Sequence, residues 1–455
     1  CIDETLPTHQ ATDEQLSSSS KATEALLWAM PAFANNYKTV DGGDYDYGYA
    51  SLMHIRDVMT EEMVVLESNY DHYSAWEHNQ YIGPNYLSTQ FIWTYFWKFV
   101  QTTNNMIGAI DPENANETQL GYLGAAYGYR AFIYLDMARM YEFLENDGTS
   151  STNASGNNVL NLTVPIVTEG VTEESARNNP RVKRQEMYEF ILADLNKAEE
   201  YIPNFHRSTK TLPDLAVVYG LKARLYMWME DYANAQIYAR KAIDESGATP
   251  TTQEQWLNAT SGFNDISVSS WMFGSTMQKE DDVVKSGIIN WTSWMSNETT
   301  YGYAAAGAAL PEYASLKFRP GSGNTSDFNV GSACSYPMMR VEEMYFIEAE
   351  AVAQQNPAQG VTLLNDFMNN YRDPQYKCTK SNKDDIVKEI VFQKRVEFWG
   401  EGQSFFDIKR LNMPQTRGYA GTMHHTISRF NTTTRPAYMN FCIVRSEGNN
   451  NTALV

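Results

Sequence analysis

"AVVYGLKARLYMWMEDYANAQIYARKAI", residues 216–243, is the stretch that decides the fold. Ala223 and Tyr226 sit on a first helix, Glu230 and Asp231 mark a tight turn, and Ala235, Ala239 and Ala242 line a second helix at spacings of four and three. Residues so spaced share one helix face. Small ones there let two antiparallel helices approach closely, while Tyr226 fills the remaining groove. Such a hairpin buries its faces only against neighbours, so others must flank it.

A degenerate second copy lies at 338–371, where Tyr345, Ala349 and Ala351 precede "NPAQGVTLLNDFMNN". The two hairpins resemble tetratricopeptide repeats. Further helices are expected at 20–38, interrupted by Pro31, and at 84–111, 118–145, 184–201 and 382–399, the last with a capping box from Ser381 to Asp384. "TVPIV" at 163–167 reads as a short extended piece and "NFCIVR" at 440–445 as a closing strand. Residues 247–336 are weakly periodic and rich in Ser, Thr, Asn, Gly and aromatics. A structureless loop of that length is abnormal, so the stretch is read as an inserted subdomain of short elements. The expected fold class is mostly α. Tetratricopeptide-like hairpins form a right-handed helical scaffold at 21–245 and 337–412, within a single domain over 21–455 behind a 1–20 tether.

The 455 residues carry a net charge of −20, which repels phosphate backbones and argues against nucleic acid as a partner. No run of apolar residues is long enough to span a bilayer as a helix. Cys1 heads a polar segment that reads as a tether, and a lipid on Cys1 is the expected anchor. Cys334, Cys378 and Cys442 are far apart and form no metal cluster.

No nucleophile elbow, zinc-protease, phosphate-loop or dinucleotide motif occurs. His72 and His78 are six apart, which fits no common ligand spacing, so surface or packing roles are expected for them; His424 and His425 are adjacent and point apart in any regular element. No catalytic residue, metal ligand or cofactor is assigned. Aromatics make up 13% of the chain. Trp28, Trp93, Trp97 and Trp228 fall on helical faces and read as core. Trp76, Tyr81, Trp271, Trp291, Trp294 and Tyr301 instead sit in polar, Asn- and Gly-rich surroundings. Such rings either pack an inserted subdomain or stack on the apolar face of a sugar while nearby amides bond its hydroxyls.

"MMRVEEMYFIEAEAVAQ" (338–354), holding Arg340 and Glu350, and "EFWGEGQSFFDIKRLN" (397–412) resemble the signatures of SusD/RagB-type outer-membrane lipoproteins. Arg395, Glu397, Glu401, Gly402, Phe406, Asp407 and Arg410 fit that family's C-terminal pattern, and Arg130 its earlier helix. Gln403 and Ser404 depart from it where a basic residue is common, so local repacking is expected. The resemblance implies a non-catalytic surface protein that binds oligo- or polysaccharide and caps a SusC-like TonB-dependent transporter at the outer membrane. It supplies no universal ligand residue, so the six aromatics above stand as the glycan-binding candidates. A glycoside hydrolase and a peptide-holding repeat scaffold are the alternatives. The acid-rich 397–412 stretch reads as a structural clasp: glycines break a helix there, and Asp407 pairs with Arg410 three residues on.

Overall fold

The computed structural model describes residues 20–40, 45–65, 73–258, 263, 265–278, 280–281, 317 and 335–454. Trp291, Trp294, Tyr301, Cys1, His72 and Cys334 lie outside these residues. Among the described residues the longer helices are α1 (Ser20–Ala34), α2 (Tyr49–Val58), α3 (Leu87–Ala109), α4 (Glu117–Tyr141), α5 (Arg184–Tyr201), α6 (Leu215–Trp228) and α7 (Tyr232–Ser246). Strands β1 (Trp271–Ser275) and β2 (Tyr336–Arg340) follow, then α8 (Val341–Gln355), α9 (Pro357–Tyr371), α10 (Lys383–Glu397) and α11 (Ser404–Arg410).

The protein is mostly helical, and successive helices pack on one another: α3 on α4, α4 on α5, α5 on α6, α6 on α7, α7 on α8, and α8 on both α9 and α10. The 216–243 hairpin forms as read. Asp231 caps α7 by accepting from the Asn234 amide at 3.2 Å. Ala235, Ala239 and Ala242 are buried on its inner face. In the second hairpin, Asn356 caps α9 and Pro357 occupies its first turn, where a missing N–H is harmless.

Several local expectations fail for identifiable reasons. Helix α1 runs through Pro31 to Ala34. The proline falls near the helix end, and burial of Leu27, Met30 and Ala34 offsets one lost backbone bond. Helix α2 has no expected counterpart; all ten of its residues are buried, which leaves no polar face to read. The cap of α10 is Asn382, not Ser381, accepting from the Asp385 amide at 3.2 Å. Residues 440–445 form no strand: the Phe441 amide reaches the Met140 carbonyl and the Arg445 amide the Pro84 carbonyl, two bonds to two different segments. "TVPIV" pairs only beside an isolated bridge between Leu162 and Lys183. Strand β1, inside the 247–336 stretch, runs antiparallel to β2, with Trp271 opposite Arg340.

The clasp is buried and charged. Arg340 donates to Glu401 at 2.7 and 2.9 Å and to Glu397 at 3.1 Å, and pairs with Glu342 at 2.8 Å. Arg372 donates to Glu397 at 2.6 Å, and Lys317 to Glu401 at 2.8 Å. Burial alone would raise the Glu397 carboxyl, but the Arg372 hydrogen bonds and the Arg340 charge outweigh it and hold its pKa below the ordinary value. On α11, Asp407 meets Arg410 at 3.0 Å and Lys394 at 3.1 Å, while Arg410 reaches back to Glu350 at 2.7 Å. Arg395 pairs with Glu61 and Glu62. Gln403 bonds Glu343 at 3.1 Å, and Ser404 is buried. Phe405 and Phe406 close the junction edge to face.

Helix α2 is locked to the same junction. The Gly402 amide donates to Asp57 at 3.2 Å and its carbonyl accepts from Arg56 at 2.9 Å. Burial pushes the Asp57 carboxyl up to about 7. The folded state therefore holds a proton that the unfolded chain has lost above its ordinary 3.8. This contribution is full at acid pH and is lost as pH rises through about 7. Urea titrations should show wild type losing stability relative to Asp57→Asn between those limits. A difference independent of pH would contradict the assignment.

Candidate functional site

The sequence "HNQYIGPNY", residues 78–86, joins the one-turn helix Ser74–Glu77 to α3. Asn79 and Tyr81 both take positive φ, 54° and 57°, which non-glycine residues seldom adopt. The loop is held in that shape from several sides. The Ser88 hydroxyl donates to the Tyr81 carbonyl, and the Thr89 hydroxyl to the Gly83 carbonyl at 2.7 Å. Beneath it, Arg417 donates to the carbonyls of Val58, Thr60 and Glu77. Buried His424 meets Glu77 at 2.7 Å, and the His425 ring lies 5.2 Å from that of His78. Those histidines thus serve packing, on different partners.

This frame presents two rings to solvent. Tyr81 is 64% exposed and Tyr86 44%, and they meet edge to face at 5.5 Å. They stand by a pocket of about 270 Å³ walled by Trp76, Ile92, Tyr438 and Phe441, with Tyr81 and exposed Asn79 on its lining. Tyr141 also lines it, and its buried hydroxyl has no hydrogen-bond partner among the described residues. Burial raises that phenol well above its ordinary pKa, so it stays protonated and can donate. A rigid aromatic lip, an apolar wall and an unsatisfied hydroxyl suit a small polyhydroxylated ligand.

Of the six aromatic candidates, the structure brings Tyr81 and Trp76 to this pocket. Trp76 is only 2% exposed and packs edge-on against Tyr45 at 5.1 Å, so it is a wall and not a free stacking surface. Trp271 is a correction: at 1% exposure on β1, beside Phe263, it is core, because both faces of the strand are covered. Trp291, Trp294 and Tyr301 lie outside the described residues. Tyr86 and Tyr141 were missed. Tyr86 stands five residues from Tyr81 in the same polar loop, a signal that was available; Tyr141 looks like any other ring on a buried helix.

Residues 267–449 match the SusD family model, and residues 7–227 match a second one described as starch-binding and associating with the outer membrane. The chain belongs to the SusD family. A SusD-like protein of Formosa agariphila is 27% identical over 173 residues, 37% of this chain; the chain spans only 29% of that relative's length. A SusD-like carbohydrate-binding protein of Bacteroides vulgatus has the same fold, with TM-score 0.73 at 20% identity over 95% of this chain and 97% of that one. A second SusD superfamily protein of B. vulgatus gives 0.72 at 18% identity, over 96% and 98%. One from Bacteroides thetaiotaomicron gives 0.70 at 16%, also over 96% and 98%. In this SusD-family chain, the signature residues Arg130, Arg340, Glu350, Arg395, Glu397, Gly402, Asp407 and Arg410 sit at buried or half-buried junctions between helices, away from the Tyr81 lip.

Proposed function

We propose that this SusD-family protein is a non-catalytic glycan-binding lipoprotein. It is held to the outer membrane by a lipid on Cys1 and passes oligo- or polysaccharide to a SusC-like TonB-dependent transporter. Residues 21–455 act as one domain behind the 1–20 tether. The observation that carries the binding role is the exposed Tyr81–Tyr86 pair beside a pocket whose Tyr141 hydroxyl lacks a partner. A sugar ring stacked on Tyr81 would supply that hydroxyl with a partner from its own oxygens.

The test is calorimetric titration with neutral oligosaccharides of glucose, xylose, mannose and N-acetylglucosamine. Tyr81→Ala/Tyr86→Ala should weaken binding by about tenfold or more, since each tenfold is about 1.4 kcal/mol. Both rings are exposed, so the melting temperature should stay near that of wild type. Unchanged affinity would sink the site. Sugar release from any of these substrates would favour a hydrolase instead. Mass spectrometry of the N-terminus on membrane-extracted protein checks the anchor; an unmodified Cys1 there contradicts it.

A further inference from the structure

A second cleft, of about 430 Å³, lies between α3, the 165–179 segment with its short helix Glu173–Arg177, and the 447–454 segment. It backs onto the first pocket: Tyr141 lines one and Trp93 the other, and their rings meet edge to face at 5.3 Å. Half-buried Trp97 lines the cleft, and its indole N–H has no acceptor among the described residues. Gln101 and Asn105, one turn and two turns further along α3, add exposed side-chain amides, and Asn450 adds another across the cleft. An aromatic ring with planar amides around it offers an apolar face and paired donors and acceptors, which is what a pyranose presents in return.

The walls are rigid. The Val167 carbonyl accepts from Tyr134 at 2.8 Å and from Asn104 at 3.1 Å, while the Val167 amide donates back to the Tyr134 hydroxyl at 2.7 Å. Arg130 bonds Asn104 at 3.1 Å, Glu169 at 2.6 Å and Asp194 at 2.7 Å, so a buried guanidinium fixes both the helix side and the loop side. The third wall is pinned by exchange: the Asn179 amide donates to Asn451 at 3.0 Å, and the Asn451 side chain donates to the Asn179 carbonyl at 2.6 Å. A preorganised cleft loses little entropy on binding. Its lining carries Glu447 and Glu169, the latter sharing the single Arg130 cation with Asp194, and no lysine or arginine among the described residues, so its balance stays negative. Uronates and sulfated sugars would meet repulsion there.

We propose that this cleft is a second saccharide-binding site, selective for neutral oligosaccharides, with Trp97 as its stacking ring and Gln101, Asn105 and Asn450 as its hydroxyl partners. It rests on the glycan-binding reading above but not on Tyr81. One chain can then hold a glycan at two points, which raises effective concentration for long ligands over short ones.

The test uses the full chain carrying Tyr81→Ala/Tyr86→Ala, titrated with the same four neutral oligosaccharide series and with polygalacturonate. The readout is the Trp97 indole N–H proton resonance, identified by its loss in Trp97→Phe. At least one neutral series should shift it saturably and polygalacturonate should not. Gln101→Ala/Asn105→Ala, both at exposed positions, should weaken that response by about tenfold. A silent Trp97 resonance overturns the second site. If wild type then still binds and loses binding with the tyrosine pair, the first reading survives alone. A responding Trp97 with wild-type affinity in the tyrosine variant leaves the cleft standing and removes the first site. Silence in both assays overturns both.

Discussion

Arg340→Ala should lower stability by about 3–5 kcal/mol, the usual cost of stranding buried charge. Arg340 is 1% exposed and sits among Glu342, Glu397 and Glu401; once it is gone, Lys317 and Arg372 are the cations left among the described residues to face those three acids. Its guanidinium also caps the Phe398 ring at 4.5 Å, so packing is lost with the charge. Arg340→Lys keeps the charge but not the fork that bridges Glu397 and Glu401, and should recover only part of the loss. Arg340→Met/Glu401→Met removes one cation and one anion together and should be milder than Arg340→Ala. Urea unfolding measures all three. A loss under about 1 kcal/mol for Arg340→Ala would mean the cluster is solvated and its charges independent. The pH dependence has a definite sign. Glu397 and Asp407 are depressed below 4.5 and 3.8, so their contribution is present above those values and is lost as pH falls through the folded pKa. Arg340→Ala should remove part of the Glu397 share, flattening the acid limb.

The clasp explains how far the sequence could be read. "EFWGEGQSFFDIKRLN" mixes acids, bases and rings as an active site would, yet its charges find partners within the fold: Glu397 on Arg340 and Arg372, Asp407 on Lys394 and Arg410. The Asp407–Arg410 pair was legible because helix geometry places residues three apart side by side. The partners of Glu401 and Glu350 were not, because Arg340 and Arg410 lie about sixty residues away in each case. The hairpins were legible for the same local reason: Ala235, Ala239 and Ala242 form a stripe only on a helix. Helix α2 was not, since a helix buried all round has no stripe. The candidate site was half legible. A ring in a polar loop, such as Tyr81, announces itself by its surroundings. Trp271 has similar neighbours in sequence and is buried, because both faces of β1 are covered and Phe263 packs on the ring. Trp97 plays both parts: it packs on Trp93 and Tyr134 as its helical spacing predicts, but α3 is only partly covered at that turn, and the ring also edges a cleft.

Gly402→Ala should cost about 2–5 kcal/mol, from two additive causes. Gly402 holds φ at +67°, where a side chain is strained. A Cβ there would also lie 2.7 Å from the Met53 Cα and 2.9 Å from the Met53 carbonyl oxygen, and backbone of a fully buried helix cannot retreat cheaply. Gly156→Ala isolates the first cause: its φ is +82°, but nothing lies within 4 Å of the added carbon. That variant should lose only about 1–2 kcal/mol. The excess at Gly402 measures how tightly α2 is seated on the clasp. It should fall when Asp57→Asn or Arg56→Ala is already present, since both side chains hold the Gly402 peptide against α2. Equal losses at the two glycines, or strict additivity with Asp57→Asn and Arg56→Ala, would show that α2 is free to move away and that the clasp ends at Glu401.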